Sequence, residues 1–378
     1  MKLLHPLAPV IVLGVAAIIA TPFQTAQALN SAEVSSIAEA ITVRIEGQNP
    51  GSGVIIKRQD DVYTVLTAAH VVATADEYEV VTIDDQRYSL TYSQVRKFQG
   101  IDLALVEFTS TQAYRVADLG DSSDIRAGTP VYVSGFPMPT TAITEAIWTF
   151  SEGKVTANAK RPLADGYGLV YSNNTLPGMS GGSVLDNQAR LIGIHGRADG
   201  EHHERQTEAV YVKTGFNLGV PINTFLSSVT RVNPTLGFAG KVAVSPSAEW
   251  TPDDLYLQGT DKFQKGNYQG AIADLNQSIT LNPGNAAAYN SRGNAHFELR
   301  EYQNAISQYN KAIALNPEYA EAYFNRGLAH TLTGNKAQAE QDRLKANQLL
   351  NSEVDALEQK ADRIEQLLEQ KLKPFESY

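Results

Sequence analysis

The stretch Leu176-Pro177-Gly178-Met179-Ser180-Gly181-Gly182-Ser183-Val184 sets one serine hydroxyl inside a run of small residues. Gly178 and Gly181 allow backbone dihedrals closed to other residues and let a substrate carbonyl approach closely. Acyl transfer needs a nucleophile and donors for the oxyanion; Ser180 can supply the first, and the N–H groups of Gly178 and Ser180 the second. Ser183, beyond the double glycine, reads as structural. The same Gly-x-Ser-Gly-Gly also serves as a plain turn between strands, so a base and an orienting acid must be found elsewhere.

Working outward, the chain from Ile37 to about Phe225 alternates short apolar runs with Gly, Asp, Asn and Pro, as in Ile41-Thr42-Val43-Arg44-Ile45 and Val131-Tyr132-Val133-Ser134-Gly135. Period-2 alternation with frequent turn residues predicts an all-β sandwich or barrel. Within it, Thr64-Val65-Leu66-Thr67-Ala68-Ala69-His70 runs an apolar strand into small residues and a histidine. Ile101-Asp102-Leu103-Ala104-Leu105 places a carboxylate at the mouth of an apolar strand, where burial is costly unless it is paired. Taken singly, His70 fits a core histidine and Asp102 a turn cap after Gly100.

Taken together, His70, Asp102 and Ser180 stand in that order, 32 and 78 residues apart. That is the His…Asp…Ser order of chymotrypsin-type enzymes rather than that of subtilisins or α/β-hydrolases. On Thr67-Ala68-Ala69-His70, Asp102-Leu103-Ala104-Leu105 and Gly178-Met179-Ser180-Gly181-Gly182, about half the chain resembles the trypsin-like serine proteases. The resemblance implies two six-stranded β-barrels with the site between them, His70 and Asp102 on the first and Ser180 on the second. It also implies an endopeptidase in which Ser180 attacks, His70 moves the proton and Asp102 orients His70.

The resemblance extends to a specificity pocket. Ala189-Arg190-Leu191-Ile192-Gly193-Ile194-His195-Gly196 is an apolar strand ending in a histidine, and Thr175 would face it across the pocket. Thr175 with His195 looks like the glutamyl endopeptidases, which implies cleavage after Glu or Asp. Gly196-Arg197-Ala198 departs from the aromatic residue and glycines that follow the histidine in that family. Arg197 could add positive charge there, while the plainer reading has His195 packing at a strand end. Gly51-Ser52-Gly53-Val54-Ile55 and Asp102-Leu103-Ala104 also resemble the HtrA family, which implies small apolar specificity, although no C-terminal segment reads as a PDZ domain.

The C-terminal third repeats. Gly259, Gly293 and Gly327 are 34 residues apart, as are Ala271, Ala305 and Ala339, and Leu281-Asn282-Pro283 returns as Leu315-Asn316-Pro317. This is the tetratricopeptide (TPR) period. The predicted order is a 1–28 signal peptide, a 29–228 protease domain, a 229–251 linker rich in Pro, Gly and Ser, three repeats at 252–285, 286–319 and 320–353, and a 354–378 capping helix and tail. The class is therefore multidomain, β then α, with an α-helical TPR solenoid following the barrels. Such arrays bind protein on a concave face, for which Tyr256, Asn290, Asn294, Phe324 and Leu328 are candidates; the alternative is that Tyr256 and Phe324 complete the inter-helix core.

Composition narrows the partners. At 378 residues and a net charge of −10 without a basic stripe, the chain gives no reason to expect nucleic acid. Lys2, the apolar run Leu7–Ala20 and Ala26-Gln27-Ala28 read as a secretory leader, which predicts a periplasmic or extracellular protein, with a membrane contact only if that leader is retained. The chain has no cysteine, hence no disulfide or lipid anchor on that residue. His202 and His203 lie in a polar stretch that reads as a solvated loop, and no pattern asks for a metal or other cofactor. A non-enzymatic binding protein with a relic protease domain is the competing class. Leu29 to about Ala40 carries no signal separating a propeptide from the domain proper.

Overall fold

Asn30-Ser31-Ala32-Glu33 is a helix start. The Asn30 side chain accepts from the Glu33 N–H and the Glu33 carboxylate accepts from the Asn30 N–H, so two end donors are satisfied reciprocally. The helix that follows, α1 (Ser31–Ile41), opens the computed structural model, which describes residues 28–139, 146–197, 217–232, 238 and 249–350. Val34, Ala38 and Ile41 share one face and are fully buried. They join a core shared with the second barrel, where truncating a buried Ile to Ala costs about 2–5 kcal/mol. Residues 31–41 are thus built into the domain.

Seven strands follow: β1 (Thr42–Glu46), β2 (Gly51–Gln59), β3 (Val62–Thr67), β4 (Tyr78–Val81), β5 (Arg87–Leu90), β6 (Arg96–Lys97) and β7 (Ala104–Thr109). They pair in the order β5-β4-β1-β2-β3-β7-β6 as one sheet. The expected first six-stranded barrel is therefore corrected to an open seven-stranded sheet. β6 is two exposed residues long and pairs only with β7, so the edges β5 and β6 do not close on each other. The second unit does close. Its strands are β8 (Pro130–Gly135), β9 (Thr149–Asn158), β10 (Leu169–Tyr171), β11 (Ser183–Leu185), β12 (Leu191–Arg197) and β13 (Asn217–Pro221), in the order β10-β13-β12-β11-β8-β9. The closing helix α2 (Ile222–Val232) seats Ile222, Phe225, Leu226 and Val229 on it.

Then come α3 (Pro252–Gln264), α4 (Tyr268–Leu281), α5 (Ala286–Glu298), α6 (Tyr302–Leu315), α7 (Ala320–Leu332) and α8, helical over 336–350. These are three helix pairs at the predicted period. Arginines 34 residues apart join them. Arg292 reaches Gln308 in its own repeat and Asn276 in the one before (2.5 Å), and Arg326 grips Asp342 with two nitrogens (2.6 and 2.8 Å) and Asn310 (2.6 Å). Each planar fork thereby ties the second helices of adjacent repeats. Of the predicted groove residues, Tyr256, Asn290 and Asn294 are buried, Tyr256 within the apolar core, while Phe324 and Leu328 are half-buried.

The array is fastened to the barrel. At the first turn of α3, the Asp253 carboxylate accepts from the Asn158 N–H (2.9 Å) and buried Asp254 from the Arg161 N–H (2.7 Å). Arg161 lies over the Trp250 ring at 4.8 Å. One apolar core runs unbroken from Ala159, Leu163 and Tyr167 in the barrel to Tyr256, Leu275 and Ala288 in the repeats. The predicted leader, the His202–His203 loop, most of the 229–251 linker and the 354–378 cap lie outside the described residues. None of the described helices is long and apolar enough to cross a membrane.

Candidate active site

The β3–β7 ladder pairs Thr67 with Ala104. Three residues beyond Thr67 stands His70, and two before Ala104 stands Asp102, so antiparallel register delivers both to one sheet end. His70 Nδ1 lies 2.7 Å from Asp102 Oδ2, and the His70 backbone N–H donates to Asp102 Oδ1 at 2.9 Å. The Asp102 N–H is held by the Asp165 carbonyl (2.7 Å). Burial works against the Asp102 carboxylate, but the hydrogen bond and charge of His70, with a hydrogen bond from Tyr167, outweigh it and hold its pKa below the ordinary value.

Ser180 arrives from the other side. The Gly178–Gly182 loop is docked on β2 by Ser52, whose N–H donates to the Ser180 carbonyl (2.8 Å) and whose hydroxyl donates to the Gly178 carbonyl (3.0 Å) while accepting from the Phe136 N–H (2.8 Å). At Gly181 (φ 88°) a Cβ would lie 2.0 Å from the Ser52 carbonyl oxygen, so only glycine admits this approach. With both carbonyls turned to Ser52, the N–H groups of Gly178 and Ser180 donate to nothing among the described residues. The Ser180 hydroxyl donates to the Gly196 carbonyl at 2.9 Å. Ser183 is buried in a hydroxyl chain with Ser134 and Thr42 (2.8 Å each), a structural role.

Thr175 and His195 are not paired with each other. The Thr175 hydroxyl donates to Asn217, whose amide donates in turn to the Asn173 carbonyl. His195 is fully buried, with Nδ1 2.7 Å from the Tyr171 hydroxyl and Nε2 without a partner. If the phenol donates to Nδ1, only one polar group stays unmet, the Nε2–H; the opposite arrangement leaves two. Burial, and secondarily repulsion from His70, lowers the pKa of His195 to about 3, so the ring is neutral.

Arg197 does not join that pocket. It pairs with Asp165 and lies 4.6 Å over the Tyr167 ring, lining a cavity of about 730 Å³ beside His70, Asp102 and Ile101. Ser52, Tyr167 and Asn217 are the contacts the motif reading missed. Ser52 sits in the quoted Gly-Ser-Gly and was findable; Tyr167 and Asn217 carry no local signal, since their partners Asp102 and Thr175 lie 65 and 42 residues away.

Comparison with known proteins agrees with this layout. Residues 51–194 match the trypsin-like peptidase domain model, and residues 259–299 and 293–334 match a TPR repeat model. The first span holds His70, Asp102 and Ser180 and stops one residue short of His195. A "Serine protease HtrA-like" protein of Staphylococcus epidermidis is 29% identical over 203 residues, covering 51% of this chain and 32% of that protein. "Serine protease Do-like HtrA" of Bacillus subtilis is 28% identical over 149 residues, covering 38% of this chain and 32% of that one. The chain thus spans about a third of the length of these curated relatives. A solved structure, "HtrA-type protease AlgW with tripeptide", matches at 23% identity with a TM-score of 0.43, over 55% of this chain and 64% of that one. The relatives carry the HtrA name, the second of the two resemblances; the likeness to glutamyl endopeptidases rests on Thr175 and His195 alone. Residues 51–194 are a trypsin-like peptidase domain, carried in one chain with TPR repeats.

Proposed function

We propose that the chain is a serine endopeptidase working through Ser180, His70 and Asp102. The observation that carries this reading is the pair of unengaged N–H groups, Gly178 and Ser180, on the loop that presents the Ser180 hydroxyl. For attack, that hydroxyl exchanges the Gly196 carbonyl for His70, which takes its proton as Oγ bonds to the scissile carbonyl. The two N–H groups receive the oxyanion, Asp102 stabilises the imidazolium, and His70 returns the proton to the leaving amine. Water then releases the acyl group by the same path. Ser180→Ala is expected to abolish both peptide hydrolysis and labelling by a serine-directed phosphonate; undiminished hydrolysis would sink the assignment. Wild-type protein that folds but neither cleaves nor labels would favour the relic reading.

A finer reading concerns the residue before the cut. The buried, unmet Nε2–H of His195 is a donor waiting for an acceptor, which favours a Glu or Asp side chain in the pocket over a small apolar one. The HtrA-like relatives support the apolar alternative. Mapping cuts in a mixed peptide library separates the two. Export by the N-terminal leader and capture of a protein on the repeats complete the proposal, tested by fractionating cells and by pull-down with the Ser180→Ala protein.

A further inference from the structure

The Asp102 carboxylate has a third donor that no motif announces. The Tyr167 hydroxyl donates to Asp102 Oδ2, the same oxygen that faces His70 Nδ1. Tyr167 is fully buried, and its burial with the neighbouring Asp102 charge pushes the phenol pKa up, so it stays a donor throughout the working pH range. Its path to Asp102 is kept open by an absence. A Cβ at Gly196 would lie 2.1 Å from the Tyr167 oxygen and 2.3 Å from the ring, so any side chain there would expel the phenol. Gly196 is also the residue whose carbonyl holds the Ser180 hydroxyl. The loop carrying Tyr167 is pinned on both sides of the ring, by Leu163 N–H to the Tyr167 carbonyl (2.9 Å) and by the Asp165 carbonyl to the Asp102 N–H (2.7 Å). The Arg197 guanidinium covers the ring at 4.6 Å.

We infer that Tyr167 is a positioning residue for Asp102, reaching it from the second barrel through the gap left by Gly196. It locks the carboxylate in the plane that faces His70 and withdraws part of its charge. The inference rests on the triad reading above, and the test is chosen so that the two can fail separately. The other titratable groups facing this cluster are His70, Asp165 and Arg197, with His195 behind His70.

Tyr167→Phe keeps the ring and removes one hydrogen bond to a charged group. The expected result is a kcat lower by about tenfold with KM unchanged, the scale of one such bond. With the phenol gone Asp102 is a stronger counter-charge, so the acid limb of the kcat/KM profile moves to higher pH by about half a unit or more. Tyr63→Phe is the control. Its hydroxyl donates to the Gln112 carbonyl (2.6 Å) away from the site, so it is expected to change the melting temperature but not the pH profile. The second readout is an NMR titration of the His70 ring, which needs no substrate: its midpoint rises in Tyr167→Phe and stays put in Tyr63→Phe. An unmoved His70 titration, or a pH profile identical to wild type, overturns the positioning role. A moved titration in a protein that hydrolyses nothing upholds Tyr167 and removes the protease reading instead.

Discussion

The two flanks of the cleft are built on opposite terms. On one, His70, Asp102 and Tyr167 form a closed network in which each Asp102 oxygen has a donor. On the other, the Thr175 hydroxyl is spent on Asn217 while His195, fully buried, keeps an unmet nitrogen. A buried polar group without a partner costs about 1–3 kcal/mol, so a fold retains one only where something compensates. On the proposed reading, the difference separates a flank set before substrate arrives from one that an acidic substrate side chain would complete.

The largest test breaks the first flank. Asp102→Asn puts an N–H₂ among donors that need an acceptor, and kcat is expected to fall on the order of 10⁴-fold with the fold intact by circular dichroism. A loss under tenfold would mean that the network is ornamental. On the second flank, His195→Ala is expected to cut kcat/KM for Glu-containing substrates about 10²-fold more than for apolar ones. An equal loss on every substrate would make His195 a packing residue. The most gradual effect is in pH. In the unfolded chain His195 titrates near its ordinary 6.5, whereas the folded pKa is about 3. The unfolded state therefore takes up the proton first, and stability should decline as pH falls from about 6.5 towards 3, by at most about 1.4 kcal/mol per unit. Urea unfolding at stepped pH should show that slope in wild type and a shallower one in His195→Gln.

Much of this was readable beforehand where the code is local. The 34-residue period is set by contacts within and between adjacent helix pairs, so Gly259, Gly293 and Gly327 marked the repeats directly. The triad motifs lie at strand ends, where a short flank of apolar and small residues carries the signal. Helix α1 was missed although Asn30 and Glu33 spelled its cap, because its apolar positions Val34, Ala38 and Ile41 run straight into a strand. Tyr167 was beyond reach for a different reason. Between Gly166 and Gly168 it looks like any core aromatic, and its role depends on a residue 65 positions away and on an empty space at Gly196. That the first sheet ends at a two-residue β6 and stays open is likewise recorded by no motif.

The carboxylates of Asp253 and Asp254 lend the molecule a property that belongs to neither domain. They root the base of the helical array directly on β9 and the turn after it. An attachment of that kind fixes bearing as well as distance: a protein lying on the repeats would meet the cleft from one compass direction, and only a scissile bond at a matching offset would come within reach. Selection would then be exercised by length and angle, as with a jig, before any side chain entered the pocket.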